Sequence, residues 1–192
     1  MSEQTVIDST RKWLEEVVIG LNLCPFAAKP NRLNQIHYAV CSITSEDTDW
    51  ETSLLQFIEH ELQRLDNHSE REIETTLIVT PSVLLDFTDY NQFLDYAEFL
   101  IQRGGWEGTY QIASFHPSYC FADSHPDDAE NLTNRSPYPI FHLIRESSLE
   151  EAIEKYPDTE NIPAVNIERV ESLSQSEKAT LFPYLFHDHG SN

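Results

Sequence analysis

Glycine is scarce in this chain: five residues in 192. No G-x-x-x-x-G-K-[ST] or G-x-G-x-x-G segment occurs, so a nucleotide cradle built from backbone N–H groups has no place to form, and no G-x-S-x-G nucleophile elbow is present. Positive charge is also short. Twelve Lys and Arg face 33 Asp and Glu, for a net charge of −21. Binding nucleic acid requires clustered bases to neutralise phosphates, and an anionic membrane surface requires the same, so both partners are excluded. No apolar run approaches membrane-spanning length. The polar opening MSEQTVIDSTRKWLEEV lacks the basic-then-apolar order of a secretion signal, and the expectation is a cytoplasmic protein. Three cysteines, Cys24, Cys41 and Cys120, are an odd number without C-x-x-C spacing, which is neither a disulfide framework nor a zinc ribbon. Asn67, Asn131 and Asn134 match the N-glycosylation pattern, but without a secretion signal the matches carry no meaning.

What is present is a globular composition, 40% hydrophobic and 11% aromatic, in a length that suits one domain over 1–192. Charge is uneven along it. Residues 1–44 are neutral, with Arg11, Lys12, Lys29 and Arg32 against Glu3, Asp8, Glu15 and Glu16, so residues 45–192 carry the whole excess of acid. The later helices therefore present a solvated acidic surface.

Periodicity sets out the elements. Val6, Thr10, Trp13, Leu14, Val17 and Leu21 recur at helical spacing and predict a helix over 4–21. Strands are predicted at IHYAVCSI (36–43), TTLIVTP (75–81), TYQIASF (109–115) and PIFHLIRE (139–146). Between them, T-D-W-E at 48–51 reads as a capping box, Asp89 as the cap of a further helix stopped by Gly104 and Gly105, and Ser147 as the cap of a helix that ends before Pro157. S-Q-S-E at 174–177 starts another helix. Alternating strands and helices give an α/β (α+β) sandwich: a mixed sheet of about four strands with helices packed on it, for which a ferredoxin-like arrangement is one candidate.

The exception to periodicity is an ordered loop at 117–138, rich in aromatics and prolines. Loops of this length in a compact domain are usually functional. Arg135 and Arg145 are the only bases between Arg103 and Lys155, and Asn131, Asn134 and Ser136 crowd beside Arg135. A guanidinium fork suits an anion, and uncharged amides orient a ligand without competing for its charge. The alternative is an ion pair between Arg135 and the loop's own Asp123, Asp127, Asp128 or Glu130. His116 precedes Pro117 at a strand end, where an imidazole can serve as acid, base or ligand, or else bind the loop structurally. If the third and fourth strands are neighbours, His116 and Arg135 share one pocket. His142 shares a strand face with Ile140 and Ile144, the setting of a core histidine, and alternation sends Arg145 to the opposite face, where a structural ion pair is the other reading. Cys24, in LCPF, is either a nucleophile or an inert buried thiol. Cys41 reads as core. His116, His142 and Cys24 are of a type that zinc prefers, but no HxxxH or HExxH spacing supports a metal. His187 and His189 resemble a ligand pair at a frayed end.

LCPFA (23–27), TLIVTP (76–81), QIASFHPSYCFA (111–122), NLTNRSPYPIFHLIRE (131–146) and IPAVNI (162–167) together resemble the bacterial "domain of unknown function 1415" family over nearly the whole chain. The resemblance implies a single domain of about this length. It singles out Cys24, His116, Tyr119, Asn131, Asn134, Arg135, His142 and Arg145 as motif positions and assigns none of them a role.

From these readings the expectation is a small enzyme acting on an anionic or polar small molecule. Arg135 would be the anion clamp, with Asn131, Asn134, Tyr119, His142 and Arg145 around the substrate, His116 the acid or base and Cys24 its nucleophilic partner. A non-catalytic ligand- or protein-binding module, or a His/Cys metal protein, are the alternatives. No cofactor or protein partner is legible.

Overall fold

Four runs of β-branched and aromatic residues form four strands: β1 (Ile36–Val40), β2 (Thr75–Val79), β3 (Tyr110–Phe115) and β4 (Ile140–Arg145). The structure is a computed structural model and describes residues 1–156 and 158–186. Pro157, His187 and His189 therefore lie outside the described residues. The strands join in the order β1-β2-β4-β3, with β1 parallel to β2 and β4 antiparallel to both its neighbours. A ferredoxin-like chain runs βαββαβ. Here two strand–helix steps come first, and β4 then inserts between β2 and β3, so that candidate is replaced by a different mixed sheet.

Helices cover both faces. α3 (Trp50–Asp66) and α4 (Phe87–Gly104) lay Leu54, Ile58, Leu62, Phe93 and Ala97 against Ile78, Phe141 and Leu143. On the other face α1 (Glu3–Trp13) contributes Val6 and Trp13 against Leu77, Val79 and Ile140. Val170 of α6 (Ile162–Glu171) and Phe182, which follows α7 (Gln175–Leu181), close that core. Burial on both faces explains why every residue of β2 is buried and why it reads as a continuous TTLIV run. Two short helices complete the chain, α2 (Ala28–Arg32) and α5 (Glu146–Lys155).

Helix ends depart from the sequence expectation in instructive ways. The first helix does not run on as α to residue 21; Leu14–Ile19 widens into a π-helix. Its exit needs Gly20, because a Cβ there would sit 2.3 Å from the Glu16 carbonyl oxygen. Asp86, not Asp89, caps α4, accepting from the amides of Thr88 and Asp89. No side chain caps α3 or α5, so neither the 48–51 box nor Ser147 acts as expected. Asp49 instead takes a left-handed conformation (φ 55°), which Asp tolerates better than most residues. The Ser174–Glu177 box does form, and Gly105 closes α4 at φ 80°.

Arg145 is a structural residue. Its guanidinium donates to the carbonyls of Leu65, His68 and Ile73 and to the Tyr110 hydroxyl. It thereby satisfies the carbonyl end of α3 and the turn into β2 with a charge of the sign that end favours. The neighbouring Asp66 accepts from Trp106 (2.7 Å) and Tyr110 (2.8 Å). Burial, with that bond to Asp66, pushes the Tyr110 hydroxyl pKa up to about 12. Arg145→Met removes a charged donor from three part-buried carbonyls, of which that of Leu65 keeps the His68 amide, and urea unfolding is expected to show a loss of about 1–3 kcal/mol, with the native fold retained in circular dichroism.

Candidate functional site

Antiparallel pairing of β3 and β4 brings the two ends of the 117–138 loop together, as the sequence argument required. The His116 amide donates to the Asn134 carbonyl at 3.2 Å. Polar groups of the loop supply many of the bonds that hold it. Asn131, fully buried, accepts from the Phe121 amide and donates to the His125 carbonyl. Asn134 donates its amide to the Ser114 carbonyl, and Ser136 donates to the Tyr138 carbonyl. The Tyr119 ring packs between Phe87 and Phe121.

His116 and Arg135 do not share a hollow. His116 is buried on the α4 side among Phe87 and Tyr90. Its Nδ1 accepts from the Ser118 amide, so Nε2 carries the proton and donates it to the Leu84 carbonyl at 3.0 Å. Both nitrogens are used, and burial holds its pKa below that of an ordinary histidine. Arg135 donates to the carbonyls of Tyr119 and Pro126 and forms no ion pair with the loop acids among the described residues. Two of its five N–H groups are thus spent on backbone oxygens. Its own carbonyl accepts from Trp13 Nε1 and the Tyr184 hydroxyl. Arg145 lies on the far face, as described above.

Two other expected residues do meet. A cavity of about 740 Å³ lies over the α1 face of the sheet, between the π-helix, the Cys24–Leu33 segment and α5, and both Cys24 and His142 line it. Most of its walls are apolar, with Trp13, Phe26, Ile36, Phe115 and Leu149 among them. Lys29, Arg71 and Lys155 are balanced by Glu70, Glu74 and Glu151, so the cavity is neutral within an acidic protein.

Hydrogen bonding fixes the state of His142. Thr75 Oγ1 lies 2.5 Å from the Leu143 carbonyl, a distance that requires its single proton to point there. That oxygen must then accept from His142 Nε2 at 2.6 Å. Nδ1 is left as a bare lone pair with no partner among the described residues. Burial pushes the imidazole pKa down to about 4, so it is neutral at pH 7. Cys24 is neutral too: burial pushes its thiol up, and neighbouring backbone N–H groups draw it only partly back; the Ala27 amide donates to the Cys24 carbonyl at 3.2 Å. Cys41 is buried core and Cys120 a half-buried loop residue.

A second cavity, of about 500 Å³, adjoins the first and shares Val18, Cys24 and Phe115 with it. Its polar lining comes from Glu130, Thr133, Asn134 and, from α6, Asn166. Neither Thr75 nor Asn166 was singled out from the sequence. Thr75 was within reach of the alternation argument once β2 and β4 are known to pair, because it then lies on the His142 face; Asn166 arrives through the packing of α6, which no local pattern encodes. Among the described residues no three His, Cys, Asp or Glu side chains gather to hold a metal ion, and no helix is long and apolar enough to cross a membrane. His116 and His142 lie on opposite faces of the sheet, which separates the ligands a zinc site would have needed.

The chain belongs to the family described as "Protein of unknown function (DUF1415)", which matches residues 5–180. No curated protein and no solved structure matches it.

Because His142 is held neutral in the fold and titrates near 6.5 when unfolded, the unfolded chain binds more protons between those values. Stability is therefore full above about pH 6.5 and falls as pH drops toward 4, by up to about 3 kcal/mol from this residue. Denaturation midpoints measured from pH 7 to pH 4 should show that slope, and His142→Gln should flatten it while leaving the contribution of His116, which has the same sign.

Proposed function

We propose that the protein is a small-molecule enzyme that works in the cavity over the sheet, with Cys24 as nucleophile and His142 as the base. The supporting observation is that one largely apolar cavity is lined by both the Cys24 thiol and an imidazole whose Nδ1 is unpaired. In this reading the sulfur bonds to an electrophilic carbonyl carbon of the ligand. The thiol proton passes to His142 Nδ1, and the leaving group departs with its bonding electrons and recovers that proton. Thr75 keeps Nε2 protonated, so that Nδ1 stays the basic nitrogen. His116, Arg135, Asn131, Asn134 and Tyr119 support the site by holding the loop that walls it, and the ligand is mainly apolar rather than an anion held by Arg135.

A second reading, a binding module without chemistry, is favoured by one observation: burial holds the thiol and the imidazole in their neutral, unreactive states. The two readings separate in a stopped-flow experiment with p-nitrophenyl butyrate. An enzyme gives a burst of nitrophenolate near one equivalent per chain, with a mass increase on Cys24. The burst should vanish in Cys24→Ala and slow at least tenfold in His142→Gln. Its rate should rise with pH through a midpoint above that of an ordinary cysteine. A burst that survives Cys24→Ala would overturn the enzyme reading, and binding of the ester with no burst would establish the module.

A further inference from the structure

The second cavity differs from the first in the sign of what it offers. Asn166 donates one of its two amide N–H groups to the Leu23 carbonyl at 2.7 Å, and its Oδ1 has no partner among the described residues. Asn134 likewise donates one amide N–H to the Ser114 carbonyl. Its Oδ1 lies 3.1 Å from Thr133 Oγ1, but the single Thr133 proton has a closer acceptor, the Glu130 carbonyl at 2.7 Å. The Glu130 carboxylate accepts from Ser124 at one oxygen and has no partner at the other among the described residues. No basic side chain lines this cavity. The spare acceptors are thus the amide oxygens of Asn134 and Asn166 and one oxygen of Glu130, which carries the only formal charge in the lining.

We propose that this cavity takes the ammonium end of an amine ligand whose apolar body runs past Cys24 into the cavity over the sheet. The assignment rests on the reading of that first cavity as the ligand site, and it names the class of ligand the site selects. An ammonium has three donors and no acceptor, which matches Glu130, Asn134 and Asn166 as a donor-bearing anion cannot. Charge-assisted bonds to a carboxylate are the stronger kind, and they offset the cost of removing the cation from water. A carboxylate ligand would instead bury its charge against Glu130. The protein's net charge of −21 raises the local concentration of cations around the entrance. Cys24, common to both cavities, then faces the ligand between its charged end and its apolar body.

The test compares three probes of one length, n-octylammonium, 1-octanol and octanoate, titrated into ¹⁵N-labelled protein at pH 7. Octylammonium should bind at least tenfold more tightly than octanoate and shift the amides of Thr133, Asn134 and Asn166 together with those of Ala113 and Ile144. In Glu130→Gln, which keeps an acceptor for Ser124, that advantage should fall at least fivefold with octanol binding unchanged, and a thermal melt will show that the variant is folded. Octanoate binding as tightly as octylammonium, or an ammonium preference untouched by Glu130→Gln, would overturn the proposal. Octanol shifts at Ala113 and Ile144 without any ammonium preference would overturn this proposal alone. Silence from all three probes would overturn it and the underlying reading of the first cavity together.

Discussion

One strand that runs against its neighbours organises the molecule. β4 lies antiparallel between β2 and β3, and its alternation distributes two jobs to two faces. Phe141, Leu143 and Arg145 face α3 and α4, where they build the larger core and hold the carbonyl end of α3. Ile140, His142 and Ile144 face α1 and the cavity. A register slip of one residue would exchange the faces, placing Arg145 in the cavity and His142 beneath α3, so the bonds that Arg145 makes also fix where His142 must be.

Much of this was legible beforehand, for identifiable reasons. The strands announced themselves through β-branched runs, and the split between His142 and Arg145 followed from period two alone. The joining of the loop ends at His116 and Asn134 followed from neighbouring strands. What failed was the step from adjacency to a shared pocket. His116 and Arg135 lie close along the backbone, yet one ring turns into the α4 core while the other side chain turns along the loop, and which way a strand-end residue turns is decided by what packs over it. The caps expected at Asp89 and Ser147 failed in a related way: several polar residues compete at each helix start, and the backbone path chooses among them. Insertion of β4 into the middle of the sheet is a tertiary outcome with no local signature.

The cavity keeps its thiol and its imidazole neutral. Thiolate–imidazolium pairs are stabilised where water or fixed charge supports both ions, whereas apolar walls such as Phe26, Phe115 and Leu149 support neither. A thiol and an imidazole kept in that setting resist oxidation and protonation. The surrounding loop matches this logic. Its amides and arginine bond to backbone carbonyls, which tie the loop's path to its own chain.

The Arg135 carbonyl oxygen receives both the Trp13 indole and the Tyr184 hydroxyl. Trp13 is also part of the cavity wall, while Tyr184 follows the helices that cover the same core. A single oxygen with two lone pairs thus serves as a shared latch for residues that are remote in sequence. If the indole swings out to admit a bulky guest, Tyr184 is left as the sole donor and its bond tightens, so the covering segment grips harder as the wall gives way. The two donors are consequently anticooperative, and a double substitution would cost more than the sum of the single ones.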